Sequence, residues 1–285
     1  MPRAEILAAV RVRRGDLVAI ARVLIAVPSP NPPLSTEAVA SAAAALIRRH
    51  VPGAELSLHA AGDGVVNLVA RLSGAGPGRR VVLSGHLDTF PVNEALPWTV
   101  DPFGGLEREG RIYGRGGADM KGGIAASIIA MAVLAERCSA WRGKLVLALS
   151  GDEESMGALG AQWLLEHVPC VRGDAVIIGD AGSPAVVRFG EKGFLWVEVD
   201  AAGKPAHGAH VHLGINAVDR LRAALDALSL MAGMEVTAPE AVTRAIEVAR
   251  PTRACSARRA SPRSSMAQRP ATWAAPTSMR SSTSW

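Results

Sequence analysis

The sequence has no apolar run long enough to cross a membrane. None of its apolar stretches approaches the roughly 20 residues that a membrane helix needs. Charged residues interrupt residues 1–22, where a signal peptide would have its apolar core. The three cysteines are few and unpatterned, which argues against a disulfide framework or a cysteine-based zinc site. We therefore predict a cytoplasmic protein that does not associate with membranes.

Acidic residues are absent from residues 251–285, which contain six arginines. Residues 1–250 hold 25 basic and 26 acidic side chains, so the formal net charge of +5 comes from this tail. A nucleic-acid-binding surface would instead be a basic patch on a folded face, and we predict no nucleic-acid partner. A tail of Arg, Ser, Ala, Pro and Thr cannot bury a core, so we predict that it is disordered.

A short apolar strand, followed at once by polar residues, organises the chain. Residues 81–83 are branched and apolar, as expected of a strand that is buried on both faces. After Gly85, His86 and Asp88 lie two positions apart and point to the same side of an extended backbone. This spacing suits a metal-binding imidazole whose second nitrogen is held by a carboxylate. A surface histidine beside a turn aspartate is the alternative.

Two later strands end in acidic residues in the same way. Residues 144–150 and 174–178 are predicted strands that alternate with helices, which indicates a parallel sheet. Ligands bind at the carboxyl ends of the strands in such sheets. One histidine and several carboxylates at this edge predict a site for more than one divalent cation. The residues expected there are His86, Asp88, Glu153, Glu154 and Asp180, with Asp119 in a loop that leaves the edge.

These acids also have structural interpretations. Asp119 would cap an apolar helix predicted over residues 124–138. The acids at 152–154 would form the solvated start of a helix predicted over residues 158–167. The glycines of residues 110–123 lack the order of a phosphate-binding loop, which disfavours a nucleotide-binding module. Further predicted elements are helices over residues 4–26 and 35–49 and strands over residues 55–60, 65–72 and 194–200.

Five motifs in this order resemble a family of zinc-dependent aminoacylases and carboxypeptidases. That family includes acetylornithine deacetylase, succinyl-diaminopimelate desuccinylase and bacterial glutamate carboxypeptidase. The resemblance extends over about residues 15–248, and it implies an α/β fold with a mixed, largely parallel sheet flanked by helices, plus an α+β lid domain. The motifs are PSPNPP at residues 28–33, GHLDT at 85–89, GRGGADMKG at 114–122, GDEE at 151–154 and GKPAHG at 203–208.

The resemblance implies a set of metal ligands. His86 and Asp180 would bind one Zn2+. Asp119 would bridge two ions, and Glu154 would bind the second. Co2+ or Mn2+ would be the substitutes for zinc. The chemistry agrees, because zinc lowers the pKa of its bound water towards about 7.

The resemblance also implies catalytic roles. Asp88 would orient the histidine ligand, and Glu153 would be the general base that deprotonates the attacking water. His207 would lie in the lid and polarise the scissile carbonyl. Without the resemblance, His207 and its neighbours His210 and His212 are equally a loop metal site or a solvated turn.

The chain departs from the family near its end. The family has one more histidine ligand for the second zinc, and no histidine follows His212 here. We therefore expect weak occupancy of the second site and little hydrolysis unless another group completes it. An alternate reading frame across residues 266–273 permits family-like residues, so a frame shift is our hypothesis for the tail. The expected domains are a catalytic domain lacking its C-terminal return (1–187), a partial lid (188–250) and the tail (251–285).

The predicted function is metal-dependent hydrolysis of an amide bond in N-acyl amino acids or small peptides. Deacetylases, desuccinylases and carboxypeptidases of the family all perform this reaction. A homodimer through the lid is expected, as the family often dimerises there. The alternative is a catalytically impaired remnant that at most binds metal.

Overall fold

A mixed β-sheet carries the residues predicted to form the site. The computed structural model describes residues 3–33, 35–93, 95, 97–182, 197–233 and 238–248. The chain divides into two units, Met1–Val187 and Arg188–Trp285, and the sheet belongs to the first. The strands are β1 (Glu55–Gly62), β2 (Val65–Ser73), β3 (Arg80–His86), β4 (Leu106–Arg108), β5 (Arg111–Tyr113), β6 (Lys144–Ser150) and β7 (Ala175–Ile178). The helices are α1 (Arg3–Val12), α2 (Arg14–Ile25), α3 (Glu37–His50), α4 (Gly122–Ala135), α5 (Trp163–His167) and α6 (Ala217–Ser229).

The strand order of the main sheet is β1-β2-β6-β3-β7. β3 pairs in parallel with β6 on one side and with β7 on the other. β2 runs antiparallel to both β6 and β1. The predicted mixed α/β sheet is therefore confirmed, and the three strands predicted to be parallel are the parallel ones. β4 and β5 form a separate two-stranded sheet.

The core lies between the sheet and the helices α2, α3 and α4. Ile124, Ile128 and Leu24 are fully buried there together with much of β2 and β6. Each fully buried side chain of this size contributes roughly 1.5–3 kcal/mol to folding. The expectation that no apolar stretch approaches the length of a membrane helix is wrong for Gly117–Ala135, which is long and apolar enough by length and composition. Half of this stretch is buried inside the protein, as in the core helix of a globular fold.

The prediction of a helix over residues 158–167 is wrong for the first half of this range. Residues Ala158–Gln162 form a wider turn of π type, and regular helix begins only at Trp163. Gly160 has a non-helical backbone (φ −96°, ψ −106°) and packs against Ser150 and Asp152. Gly160 packs closely on the end of β6, and this packing interrupts the helix. The spacing of apolar residues in the sequence gives no sign of the interruption.

The second unit, taken by itself, is exposed in its described parts. A 3-10 turn spans Gly208–Leu213, and the helix α6 follows with no buried residue. Residues 240–248 are also helical. For the strand predicted over residues 194–200, residues 197–200 are not in a strand, and residues 194–196 lie outside the described residues. The predicted tail, residues 251–285, lies outside them as well.

Candidate metal centre

The end of β3 places a buried histidine at the edge of the sheet. His86 is 2% exposed, and its Nδ1 lies 3.0 Å from the backbone carbonyl oxygen of Asp88. Because a carbonyl only accepts, Nδ1 carries the proton and Nε2 is free to bind a cation. The carboxylate of Asp88 is farther away, at 3.5 Å from Nδ1. The sequence predicted the carboxylate in this position, whereas the nearer acceptor is the main chain.

The Asp88 carboxylate instead joins two loops. It is fully buried, and its Oδ2 accepts a hydrogen bond from the backbone N–H of Glu154 at 2.9 Å. Its Oδ1 has no hydrogen-bond partner among the described residues. Asp88 thus links the end of β3 to the loop after β6, and it leaves one buried oxygen facing the imidazole. A buried, unpaired carboxylate oxygen favours positive charge nearby.

Asp119 approaches His86 from the loop before α4. Its Oδ1 lies 2.8 Å from Nε2 of His86. Its backbone is extended (φ −122°, ψ 95°), and α4 begins at Gly122 without a side-chain cap. The capping interpretation of Asp119 is therefore wrong. The carboxylate faces the nitrogen on which a metal would bind.

The three acids after β6 have different surroundings. Asp152 is 5% exposed and accepts the N–H of Leu159 at 2.8 Å, so it fixes the loop. Glu153 places Oε2 4.0 Å from His86 Nε2. Glu154 accepts the N–H of Phe90 at 3.1 Å. Of the three, only Asp152 bonds to the start of the helical segment, at Leu159 in the turn Ala158–Gln162. The interpretation as a helix N-terminus therefore does not account for Glu153 and Glu154, which, among the described residues, have no hydrogen bond to that turn or to α5.

Asp180 reaches the same edge because β7 ends close to the start of α4. A Cβ added to Gly123 would lie 1.9 Å from the carbonyl oxygen of Gly179, so only glycine fits there. This close approach brings Asp180 beside the loop of Asp119. Two groups of ligand atoms result, each within 4.8 Å and both containing His86. One group is His86, Glu153 and Glu154, and the other is His86, Asp119 and Asp180.

The electrostatics of this cluster favour a cation. Burial opposes a charged imidazole, but the neighbouring carboxylates of Asp88, Glu153 and Asp119 outweigh it and raise the pKa of His86 to about 9. Burial and the negative charge of Asp119 raise the pKa of Glu154 to about 7, and burial also raises the pKa of Glu153. The imidazole and the two glutamates therefore hold their protons to higher pH than usual, and a divalent ion would displace these protons when it binds. The donors are nitrogen and oxygen, which suit zinc and its neighbours in the first transition series.

His207 belongs to the second unit and is described there by itself. Its Nδ1 accepts the N–H of Ala209 at 3.1 Å, which leaves Nε2 as the protonated nitrogen. The rings of His207 and His210 are 6.1 Å apart, and those of His210 and His212 are 5.9 Å apart. These rings do not form one of the three-ligand groups found among the described residues. The loop metal site considered for them is not supported by this geometry.

Sequence reasoning missed the buried polar residues that hold the loops. Asn67 in β2 is fully buried; its Oδ1 accepts the N–H of Gly151 at 2.9 Å and its Nδ2 donates to Leu159 at 2.8 Å. Lys121 is also fully buried, and burial lowers its pKa to about 8. Asn67 interrupts the apolar run of residues 65–70 in β2, and that break in the pattern is the signal that identifies it.

The chain matches Peptidase family M20/M25/M40 over residues 82–274. It belongs to this peptidase family. The match starts later than the motifs suggest, at residue 82 rather than about 15, and it runs past residue 248, where the resemblance was expected to stop.

Curated relatives include two succinyl-diaminopimelate desuccinylases. The one from Rhodospirillum centenum is 39% identical over 171 residues, which cover 58% of this chain and 44% of that protein. The one from Sphingopyxis alaskensis is 33% identical over 238 residues, 78% of this chain and 60% of that protein. The chain thus spans about half the length of the curated relatives it matches. Among solved structures, human carnosine dipeptidase 1 shares the fold with a TM-score of 0.54 at 19% identity, over 70% of this chain and 43% of that one.

Proposed function

We propose that this chain contributes the metal-binding half of a hydrolase that cleaves amide bonds in N-acyl amino acids or small peptides. One observation carries the proposal. His86 lies among four carboxylates that form two ligand groups at the carboxyl edge of a parallel sheet. Membership in a peptidase family supplies the reaction class.

The proposed ligand assignment follows the family resemblance, and the two groups of ligand atoms support it. His86 and Asp180 would hold one ion, Glu154 would hold the second, and Asp119, whose Oδ1 is 2.8 Å from His86 Nε2, would be shared between them. Zinc is the proposed metal, with Co2+ or Mn2+ as substitutes. When bound, such ions act as Lewis acids that polarise the scissile carbonyl and acidify water.

Glu153 is the proposed general base. It is the acid of the cluster whose carboxylate accepts no hydrogen bond from another described residue, and its Oε2 is 4.0 Å from the His86 imidazole. Its raised pKa suits a group that takes a proton from the attacking water and gives it to the leaving amine. Asp88 positions His86 and the Glu154 loop, as its hydrogen bonds indicate. His207 is proposed to polarise the substrate carbonyl from the lid.

The proposed substrate class follows the relatives. The curated relatives are succinyl-diaminopimelate desuccinylases, so an N-succinyl amino acid is the first substrate to test. We also propose a cytoplasmic location, and a homodimer through the second unit. The dimer is supported by α6, whose Val218 and Leu225 are 71% and 52% exposed. A helix with such exposed apolar residues favours a protein partner.

The second candidate is a metal-binding chain without turnover. It is favoured by the described ligand groups, which share a single imidazole. An incomplete second site would hold its ion weakly. In that case Glu153 would have no activated water to deprotonate.

Zinc content and turnover, measured on one purified sample of the full chain, test these candidates. The hydrolase predicts two Zn2+ per chain and release of succinate or acetate from N-acyl amino acids. One ion without turnover would support the second candidate. No bound metal, with His86→Ala indistinguishable from the wild type, would contradict both.

A further inference from the structure

The motif at residues 28–33 is one of the five that resemble the family's motifs, but it has no role in the proposed reaction. Part of it belongs to a short buried segment, residues 27–31, that we call the proline strap. Ser29 is fully buried and Asn31 is 8% exposed. Pro28 and Pro30 have no N–H to donate, so the strap cannot act as an ordinary strand. Its side chains and several of its main-chain groups nevertheless form hydrogen bonds to residues in three different loops.

The first loop is the end of β3. Ser29 Oγ donates to the carbonyl of Leu87 at 2.8 Å. The N–H of Thr89 donates to the carbonyl of Ser29 at 2.9 Å, and the N–H of Asn31 donates to Thr89 at 3.3 Å. These bonds flank Asp88 on both sides. The strap therefore fixes the backbone whose carbonyl holds His86.

The second loop follows β6. Asn31 Nδ2 donates to the carbonyl of Gly151 at 2.9 Å and lies 3.4 Å from Oδ1 of Asp152. Ser155 Oγ returns a hydrogen bond to the carbonyl of Asn31 at 3.2 Å. These contacts come immediately before and after the glutamates at 153 and 154. A single residue, Asn31, thus bonds to the backbone of both loops.

The third loop precedes α4. The fully buried Lys121 donates from Nζ to the carbonyl of Val27 at 2.8 Å. Its backbone N–H donates to Gly116, which closes the turn around Asp119. Lys121 therefore ties this loop to the other end of the strap.

We propose that the proline strap sets the spacing of the three ligand loops, with Asn31 as its central positioning residue. The inference rests on the proposed metal site. The three loops bring carboxylates of the same charge close together, and these carboxylates repel one another. Hydrogen bonds between the strap and the loops must therefore hold the ligands in position before a metal binds. Residues that support ligands in this way typically change metal affinity by about 10- to 100-fold when removed.

Cobalt binding by the full chain tests this role. Asn31→Ala removes the amide that joins the two loops, and it is compared with the wild type by calorimetry and by the visible spectrum of bound Co2+. We expect about tenfold weaker binding and a weaker, shifted spectrum. With substrate, kcat should fall while KM changes little, since the buried Asn31 amide is bonded to Gly151 and Asp152 and acts through the ligand loops.

Trp141→Phe is the matched control. It removes one hydrogen bond from a part-buried side chain to the main chain, Nε1 to Leu134 at 3.0 Å, just before the amino end of β6, whereas the ligand loop follows its carboxyl end. Both variants should melt at lower temperature, but only Asn31→Ala should change Co2+ affinity. Equal Co2+ affinity in Asn31→Ala and the wild type would overturn the proposal.

A second variant covers the case in which Asn31→Ala does not fold. Ser155→Ala removes only the bond to the Asn31 carbonyl, and it should weaken Co2+ binding by a smaller factor, whereas unchanged binding would count against the strap. If the wild type binds Co2+ but has no turnover, the proposed hydrolase is contradicted. The Co2+ affinities of the variants would still test whether the proline strap positions the ligand loops. A wild type that binds no Co2+ overturns both.

Discussion

The two ends of the parallel strands β3 and β6 are both charged, but the charged side chains have different partners at the two ends. At the amino ends, Arg80, Lys144 and Arg172 line a pocket of about 630 Å³. Arg80 Nη1 donates to the carbonyl of Arg172 at 2.8 Å, and the Arg172 guanidinium donates to Leu165 at 2.9 Å. Asp174 accepts the N–H of Arg80 at 2.7 Å. These charges act as internal braces of the fold.

At the carboxyl ends, the acids face one another and a single imidazole. Glu154 and His86 both have raised pKa values there: burial and the negative charge of Asp119 raise the pKa of Glu154, whereas for His86 burial opposes the rise and the neighbouring carboxylates outweigh it. The comparison teaches that charge density alone does not mark a functional site. Ionisable side chains that converge on one another and shift each other's pKa values do.

The largest expected effect is on catalysis. Glu153→Gln keeps the size of the side chain but removes the base, so kcat should fall by about 10²–10⁴. Zn2+ affinity should change little, because Glu153 is not a proposed ligand. Steady-state kinetics and calorimetry on the same preparation measure both. A kcat within a few-fold of the wild type would remove Glu153 from its role.

Loss of the imidazole should have the next largest effect. His86→Ala leaves only carboxylates in both ligand groups. We expect Zn2+ affinity to fall by more than the roughly 10- to 100-fold that loss of a supporting residue costs. His167→Ala, which removes a surface ring stacked on Trp163, is the control and should bind as the wild type does. Equal losses in the two variants would refute the assignment of His86.

Stability should depend on pH in a direction set by the carboxyl-end cluster. The pKa of His86 is raised from 6.5 to about 9, so the folded chain holds more protons than the unfolded chain between these values. The raised pKa of Glu154, about 7, acts in the same direction at lower pH. The metal-free protein should therefore lose stability as pH rises from 6.5 towards 9.

Thermal melts in a chelating buffer at several pH values measure this slope. His86→Ala should flatten it, because the titrating imidazole is gone. Saturating Zn2+ should reverse it, since a bound ion needs deprotonated ligands. A melting temperature that rises with pH without metal would contradict the electrostatic account of the site.

The smallest effect is expected at the opposite end. Arg172→Gln removes the brace to Leu165, and it should cost at most about 1 kcal/mol of unfolding free energy. Zn2+ affinity and kcat should not change, because the two ends of the strands are separate. Denaturant unfolding and a Zn2+ titration make the comparison. A clear loss of Zn2+ affinity in Arg172→Gln would break the distinction between the ends.

The ligand edge could be predicted from the sequence because the order of the strands along the chain, and the polar residues at their ends, are visible in short stretches of sequence. The ends of residues 81–83 and 144–150 are visible as switches from apolar to polar residues, and parallel pairing then brings them together. The sequence could not predict Asn31, whose partners lie about 120 positions away. Nor could it predict that the Asp88 carbonyl, rather than its carboxylate, is nearest to Nδ1, because that depends on backbone direction.

The central claim is that the carboxyl-end cluster holds divalent metal. Titration of the metal-free full chain with Zn2+ by calorimetry, in two buffers of different ionisation enthalpy, tests it most directly. The account predicts stoichiometric binding with proton release at pH 7, because His86 is protonated in the metal-free site, and loss of that binding in His86→Ala. No binding, or binding that His86→Ala leaves unchanged, would contradict it.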